Sequence, residues 1–382
     1  MVFVNSLFDA GNIEVVQADD PSDIRLRIRR DVGERHAQWF YFQLCNARGR
    51  LCRMAIENAG EMSYPDGFRD YQAAASVDGE HWFRVPTAFD GEQLVISHEA
   101  PTDAVFYAYY APYSLERHQR LIGRAEQHAA VQSEVLCMTP DGRPLTLLKL
   151  GSAGDQAPIV WITARQHPGE SMAEWWVEGF LARLLDPADP VGRALLANCR
   201  IFLVPNMNPD GSVRGHLRVN ARGVNLNRAW RDPDPEQSPE VFFVRRRMHE
   251  TGVDLALDVH GDENLPYNFI AGAEGVQRWS ESMEAELDAF KRLLAAISPD
   301  FQTGFGYQRD PAGSADLRKC TDYVAQQFGC LSMTLEMPFK DAANHPLEEA
   351  GWSPERCKRM GSSCADAIWQ TISAGRSFGP EA

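Results

Sequence analysis

At 382 residues, 44% of them hydrophobic, the chain exceeds the usual size of one domain and has apolar material for a large core, so two domains are expected. A net charge of −15 argues against nucleic acid or anionic membrane as a partner, and no apolar run approaches transmembrane length. The eight cysteines form no CxxC pair, and Met1-Val2-Phe3-Val4-Asn5 lacks the basic start and apolar core of a secretory leader. Free thiols and a cytoplasmic location are therefore expected.

Up to about residue 113 the chain reads as strands joined by turns. Ile24-Arg25-Leu26-Arg27-Ile28-Arg29 alternates apolar and basic residues, the period of a half-buried strand. The arginines read as its solvated face. The runs 39–44, 71–77 and 105–110 are aromatic or alternating, and Asp78-Gly79 marks a hairpin. An antiparallel β-sandwich is predicted, with no catalytic cluster of its own and a supporting or recognition role. Ser114 then fits the N-cap of a polar helix running to about His128, closing a first domain at 1–128.

A hairpin over 131–150, turning at Pro140-Asp141-Gly142-Arg143-Pro144, opens a second domain at 129–382. Strand-like runs (158–164, 200–205, 253–259, 331–336) then alternate with helical ones (170–185, 237–251, 276–297, 354–373). The predicted class is α/β: a mixed, largely parallel central sheet flanked by helices, preceded by the sandwich. Sites in such sheets collect beyond the C-terminal ends of the strands, and His167, Asn206, His260 and Glu336 all fall at or just past predicted strand ends.

The chemistry centres on His167-Pro168-Gly169-Glu170. Pro168, with its fixed φ, and Gly169, which tolerates positive φ, fit a sharp turn between a buried strand and a helix. Such a turn aims the imidazole and a carboxylate in the first helical turn at one point, a donor pair suited to Zn²⁺. Alone, His-x-x-Glu equally describes a surface histidine beside a solvated acid. His260, after Val253-Asp254-Leu255-Ala256-Leu257-Asp258-Val259, offers a third ligand. Two histidines and one carboxylate leave a fourth position open, the pattern of catalytic rather than structural zinc. Arg218, Asn225, Asn227 and Arg228 lie in a Gly- and Asn-rich stretch able to grip a carboxylate. Glu336 closes the apolar strand Leu331-Ser332-Met333-Thr334-Leu335, a costly place for an acid unless it is paired or functional. Beside a metal it could take a proton from water and deliver it to a leaving amine.

Five ordered motifs, HPGE (167–170), NMNPDG (206–211), NLNR (225–228), DVHGD (258–262) and TLEMPF (334–339), resemble those of zinc carboxypeptidases of the M14 type. WFYF (39–42), DGEHWFRVP (78–86) and YAPYSLERH (110–118) narrow the resemblance to cytosolic carboxypeptidases, including their bacterial members. The resemblance implies that His167, Glu170 and His260 bind one zinc ion and that Glu336 is the general base and acid. It further implies that Arg218 polarises the scissile carbonyl, while Asn227 and Arg228 hold the terminal carboxylate of a peptide or protein substrate. Members often carry Asp where Asn225 stands, orienting the first histidine. The residue over the side-chain pocket is sought among Tyr307, Arg309, Arg318, Lys319 and Tyr323. Relatives that remove glutamates use a basic residue there, so a preference for acidic side chains is one expectation, with Arg318 or Lys319 serving it; a solvated loop charge is the other reading of each, and the favoured one. Two other readings stand beside the peptidase: a zinc amidohydrolase deacylating small N-acyl amino acids, and a non-catalytic peptide-binding module on the same fold.

Overall fold

The computed structural model describes residues 1–374, so the last eight residues of the second predicted domain lie outside the described residues. Ten short strands form two five-stranded sheets in the N-terminal part. One sheet runs Phe3–Asn5, Tyr41–Cys45, Ala104–Ala108, Ala73–Ser76, Phe83–Val85, and is antiparallel throughout. The other runs Glu14–Gln17, Ile24–Arg27, Leu51–Ile56, Leu94–Glu99, Thr87–Phe89. Its pairs are antiparallel except one: Ile24–Arg27 lies parallel to Leu51–Ile56, with Ile24 opposite Met54. The alternation read from Ile24–Arg27 holds, with Ile24 and Leu26 buried and Arg25 and Arg27 half-buried. Leu26, Met54 and Ile96 from this sheet share one core with Phe42, Leu44 and Val105 from the other. A hydrogen bond of 2.9 Å between His98 Nδ1 and Tyr107 Oη crosses between the sheets.

Ser114 caps its helix as expected, its Oγ accepting from Arg117 N at 3.2 Å. The helix ends at Ala125, a few residues short of His128. The hairpin Val131–Met138 and Pro144–Leu150 then forms one edge of a seven-stranded sheet. Next across it come Arg200–Val204, Ile159–Ala164, Leu255–Asp262, Leu331–Pro338 and Phe269–Ala271. The four middle strands are mutually parallel, and the neighbours on either side are antiparallel. Ile159–Ala164 is buried on both faces, so it reads as a continuous apolar run.

Alternate residues of that strand feed two cores. Val160, Ile162 and Ala164 pack with the helices Met172–Leu184, Glu281–Ile297 and Pro354–Ser373. Ile159 and Trp161 pack with Pro239–Thr251 and Cys320–Phe328. Helices thus cover both faces of the sheet. Gly179 and Gly361 let Met172–Leu184 and Pro354–Ser373 nearly touch: a Cβ at either would meet backbone of the other helix at 2.1 Å. The short helices Pro190–Asn198, Pro209–Arg214 and Cys320–Phe328, and the edge strand Phe269–Ala271, had no prediction. Each is too brief to carry a clear period.

One buried acid in this framework titrates far from its ordinary range. Glu240, in the first turn of Pro239–Thr251, is 0% exposed and accepts from Asn220 Nδ2 at 3.2 Å. Burial raises its pKa from 4.5 to about 7. The folded protein therefore holds this proton more tightly than the unfolded chain, and stability falls as pH rises from about 4.5 to 7. Glu240→Gln, which cannot ionise, is expected to gain roughly 2 kcal/mol over wild type at pH 8 and little at pH 4.5. Denaturant melts at the two values check this; parallel pH dependence in both proteins would refute it.

Candidate metal centre and active site

The turn after Ile159–Ala164 is shaped by a residue that the sequence did not single out. Arg165 adopts φ +57°, and its guanidinium is buried. Nε donates to Pro168 O at 2.9 Å, while Nη1 donates to Tyr113 O at 2.9 Å and to Glu174 Oε2 at 2.6 Å. The side chain of Arg165 thereby folds the His167–Glu170 loop back on itself. Gly169 does not adopt a positive φ, so the turn does not need it for that freedom, contrary to expectation. Its need is space: a Cβ there would stand 3.0 Å from Leu217 O, the acceptor of Gly169 N–H. Glu170 likewise sits just before Ser171, the N-cap of Met172–Leu184, rather than inside the first helical turn.

His260 and Glu336 also differ in detail from expectation. Neither lies past a strand end: Leu255–Asp262 and Leu331–Pro338 continue through them, in register, with His260 opposite Glu336. Pairing between two long central strands extends both beyond the purely apolar run. The outcome is still convergent, because parallel neighbours bring their ends to the same rim of the sheet.

The His167 and His260 rings lie 4.8 Å apart, and one donor atom from each, with one from Glu170, falls within 4.8 Å of the others. All three residues are buried. His167 Nδ1 is 2.7 Å from Glu170 Oε1, and His260 Nδ1 is 2.7 Å from Glu170 Oε2. The far nitrogens are held from behind. Asn225 Oδ1 lies 3.1 Å from His167 Nε2, and Asp258 Oδ2 lies 2.8 Å from His260 Nε2. An acceptor on each Nε2 fixes the tautomer that leaves Nδ1 free as a ligand, and the donor set fits zinc. Asn225 therefore orients its ring without the charge that Asp258 brings to the other. Asp258 stands two residues before His260 on the same strand face, a placement the strand period alone gives.

Glu336 Oε1 accepts from Tyr307 Oη at 3.2 Å, and Oε2 is buried with no partner. Burial drives this carboxyl well above its usual range; His260 opposes the shift, and Glu170, Asp262 and Glu263 add to it. Such an environment suits a group that must both accept and return a proton. Arg218 stacks on Tyr64, 5.5 Å from the ring centroid, and no carboxylate forms a hydrogen bond with its side chain among the described residues. The Arg228 guanidinium stands 4.0 Å from Asp316 and donates to its neighbour's carbonyl, Asn227 O, at 2.6 Å. Burial and the nearby Arg218 lower its pKa. Two cations without a hydrogen-bonded acid face one cavity, an arrangement that favours an entering anion.

His167, Glu170, Arg218, Asn227, Arg228, His260 and Glu336 all line that cavity, whose volume is about 410 Å³. Asn227 is tied by Oδ1 to Cys320 N at 2.8 Å. Of the five pocket candidates, Tyr307, Arg309 and Lys319 line the cavity, and Arg318 and Tyr323 do not. Arg318 pairs with Asp316, and Tyr323 bonds to His249. Tyr307 also donates to Asp262 Oδ2 at 2.6 Å. Tyr64, from the N-terminal part, and Glu263 also line the cavity. No local pattern marked either of them.

Residues 4–110 match the cytosolic carboxypeptidase N-terminal domain, and residues 124–355 match the zinc carboxypeptidase family. The chain belongs to the zinc carboxypeptidase family. As a member it is a metallocarboxypeptidase, a hydrolase. The crystal structure of a metallo-carboxypeptidase from Burkholderia cenocepacia is 48% identical, covering 98% of this chain and 100% of that one, with a TM-score of 0.96. A metallo-carboxypeptidase from Pseudomonas aeruginosa, in complex with (2-guanidinoethylmercapto)succinic acid, is 42% identical over 98% of this chain and 100% of that one, with a TM-score of 0.94. Mouse cytosolic carboxypeptidase 4 is 26% identical over 324 residues; the match takes in 70% of this chain but 28% of the mouse protein. The carboxypeptidase fold and the preceding sheet domain are as predicted, that domain being antiparallel but for the one pair Ile24–Arg27 and Leu51–Ile56. No helix among the described residues is long and apolar enough to cross a membrane.

Proposed function

We propose that this carboxypeptidase binds one zinc ion through His167, Glu170 and His260 and hydrolyses the C-terminal bond of peptides or proteins. The observation that carries the reading is the unpartnered Glu336 oxygen in the same cavity as a buried His/Glu/His donor set and two guanidiniums. When bound, zinc supplies Lewis acidity toward a carbonyl and acidifies water. Glu336 takes the proton of the attacking water and returns it to the departing amine. Arg218 donates to the oxygen that gains charge, and Asn227 with Arg228 holds the terminal carboxylate. The Pseudomonas relative's ligand is a dicarboxylate with a basic arm, which agrees with an anion clamp.

The acidic preference is supported by Lys319. Lys319 lines the cavity, and its ammonium pairs loosely with Asp322 and Asp310, at 3.8 and 3.9 Å, without a hydrogen bond to either. Eight free cysteines and the cytosolic relatives support a reducing cytoplasm.

One peptide panel tests the reading: matched substrates with free or amidated C-termini, ending in Glu, Ala or Lys, incubated with the zinc-loaded protein. Release of the terminal amino acid from free ends only is expected. Arg228→Ala should lower kcat/KM on free ends about 100-fold while zinc content holds, since it removes a charge-assisted pair at the clamp. Lys319→Ala should depress the Glu substrate alone. Equal rates on free and amidated ends would sink the clamp, equal rates on Glu and Lys the preference. Turnover confined to small N-acyl amino acids would transfer the site to the amidohydrolase reading.

A further inference from the structure

The segment that carries Arg218 has no ladder of its own. Residues 215–225 run between the short helix Pro209–Arg214 and the turn Leu226–Arg228 without forming helix or strand. Three consecutive backbone N–H groups in it still need acceptors. All three point at one side chain from the N-terminal part. Asp31 Oδ1 accepts from Leu217 N at 2.7 Å, and Asp31 Oδ2 accepts from Arg218 N at 2.7 Å and Val219 N at 3.2 Å. The carboxylate is 2% exposed, and it is set in a tight turn in which Asp31 N donates to His36 O at 2.8 Å.

The other edge of the same segment grips the metal loop, since Leu217 O accepts from Gly169 N at 2.9 Å. The Arg218 side chain is constrained from the N-terminal part as well. Tyr64 lies under the guanidinium, and its own backbone is clamped by Gln38, which accepts from Tyr64 N at 2.8 Å and donates to Tyr64 O at 2.9 Å. Backbone and guanidinium of one residue are thus fixed by two elements that precede the catalytic sheet in the chain.

We propose that Asp31 is a positioning residue for the reaction, aiming Arg218 at the carbonyl oxygen, and that the N-terminal part is in this way a working piece of the active site. The inference rests on the oxyanion role given to Arg218 above. A carboxylate is suited to the task because both oxygens accept and neither donates. An amide at 31 can serve Leu217 or the Arg218/Val219 pair but not both, since its NH₂ would face a backbone N–H.

The test is a double-mutant cycle on a free-ended peptide, with kcat, KM and zinc content measured for Asp31→Ala, Asp31→Asn, Arg218→Ala and the doubles. Arg218→Ala is expected to lower kcat by about 100-fold or more, the usual effect of losing one oxyanion donor. Asp31→Ala should lower kcat roughly 10–100-fold with KM within about threefold and zinc unchanged, and Asp31→Asn should fall between it and wild type. On the Arg218→Ala background the Asp31 changes should cost less than about threefold, because there is no longer a guanidinium to aim. Multiplicative losses would make Asp31 general scaffolding and overturn the proposal, as would kcat within threefold of wild type in both Asp31 variants. If Asp31→Ala fails to fold, the same cycle with Asp31→Asn decides. An Arg218→Ala protein with wild-type kcat would be a separate failure: it would remove the role of Arg218 and the proposal with it.

Discussion

Glu336→Gln is expected to keep one zinc per chain and to lose about 10³-fold or more in kcat. The magnitude follows from removing a general acid–base that acts twice in each turnover. The substitution is nearly isosteric, and the local contacts predict little structural cost. Oε1 can remain the acceptor of Tyr307 Oη, while the NH₂ replaces Oε2, which is buried and has no partner to lose. The acid is also expensive to keep: burial and the carboxylates of Glu170, Asp262 and Glu263 all oppose its ionisation, with His260 alone among the main influences favouring it. Stability of the metal-free variant is therefore expected to match or exceed that of metal-free wild type. Metal analysis, a thermal melt and steady-state kinetics on one preparation make the test. Turnover within threefold of wild type would remove Glu336 from the chemistry and reopen the reading of a peptide-binding module.

His167→Ala is expected to abolish stoichiometric zinc binding. One of three protein donors is lost, and Glu170 Oε1 and Asn225 Oδ1 are left facing the gap. Loss of an outer partner alone usually weakens a metal site 10–100-fold, so loss of a ligand should exceed about 100-fold. Because the ring is buried, a fall in stability of a few kcal/mol accompanies it, from the cavity and the unpaired acceptors. Zinc content after dialysis against a chelator is the primary measurement, and a competition titration gives the ratio. Wild-type zinc content in the variant would contradict the ligand assignment. Asn225→Asp offers a graded companion: an ionised acceptor on Nε2 should tighten zinc, by raising the basicity of the ring.

Six of the seven proposed site residues stand in short, ordered motifs: His167, Glu170, His260 and Glu336 at buried strands, Asn227 and Arg228 in the turn Leu226–Arg228; Arg218 stands in none. The apolar runs Ile159–Ala164, Leu255–Val259 and Leu331–Leu335 announced parallel strands, and parallel strands gather their C-terminal ends on one rim. Arg318 and Tyr323 show the limit of that logic. Both lie close in sequence to Lys319, yet Arg318 turns to Asp316 and Tyr323 to His249, away from the cavity. Direction there is set by the partner each side chain meets, local for Arg318 and tertiary for Tyr323, not by closeness to Lys319.

The sequence by itself determined the kinds of donor, the strands that carry them and the order of the two parts, since periodicity and composition are local properties. Only the tertiary structure decided which atom meets which. It gave Glu336 an oxygen without a partner and laid Asp31 across from residues 217–219, nearly half the chain away. Those pairings arise when sheets and helices pack. A buried polar group then takes whatever partner packing brings within reach, and no local pattern records that choice.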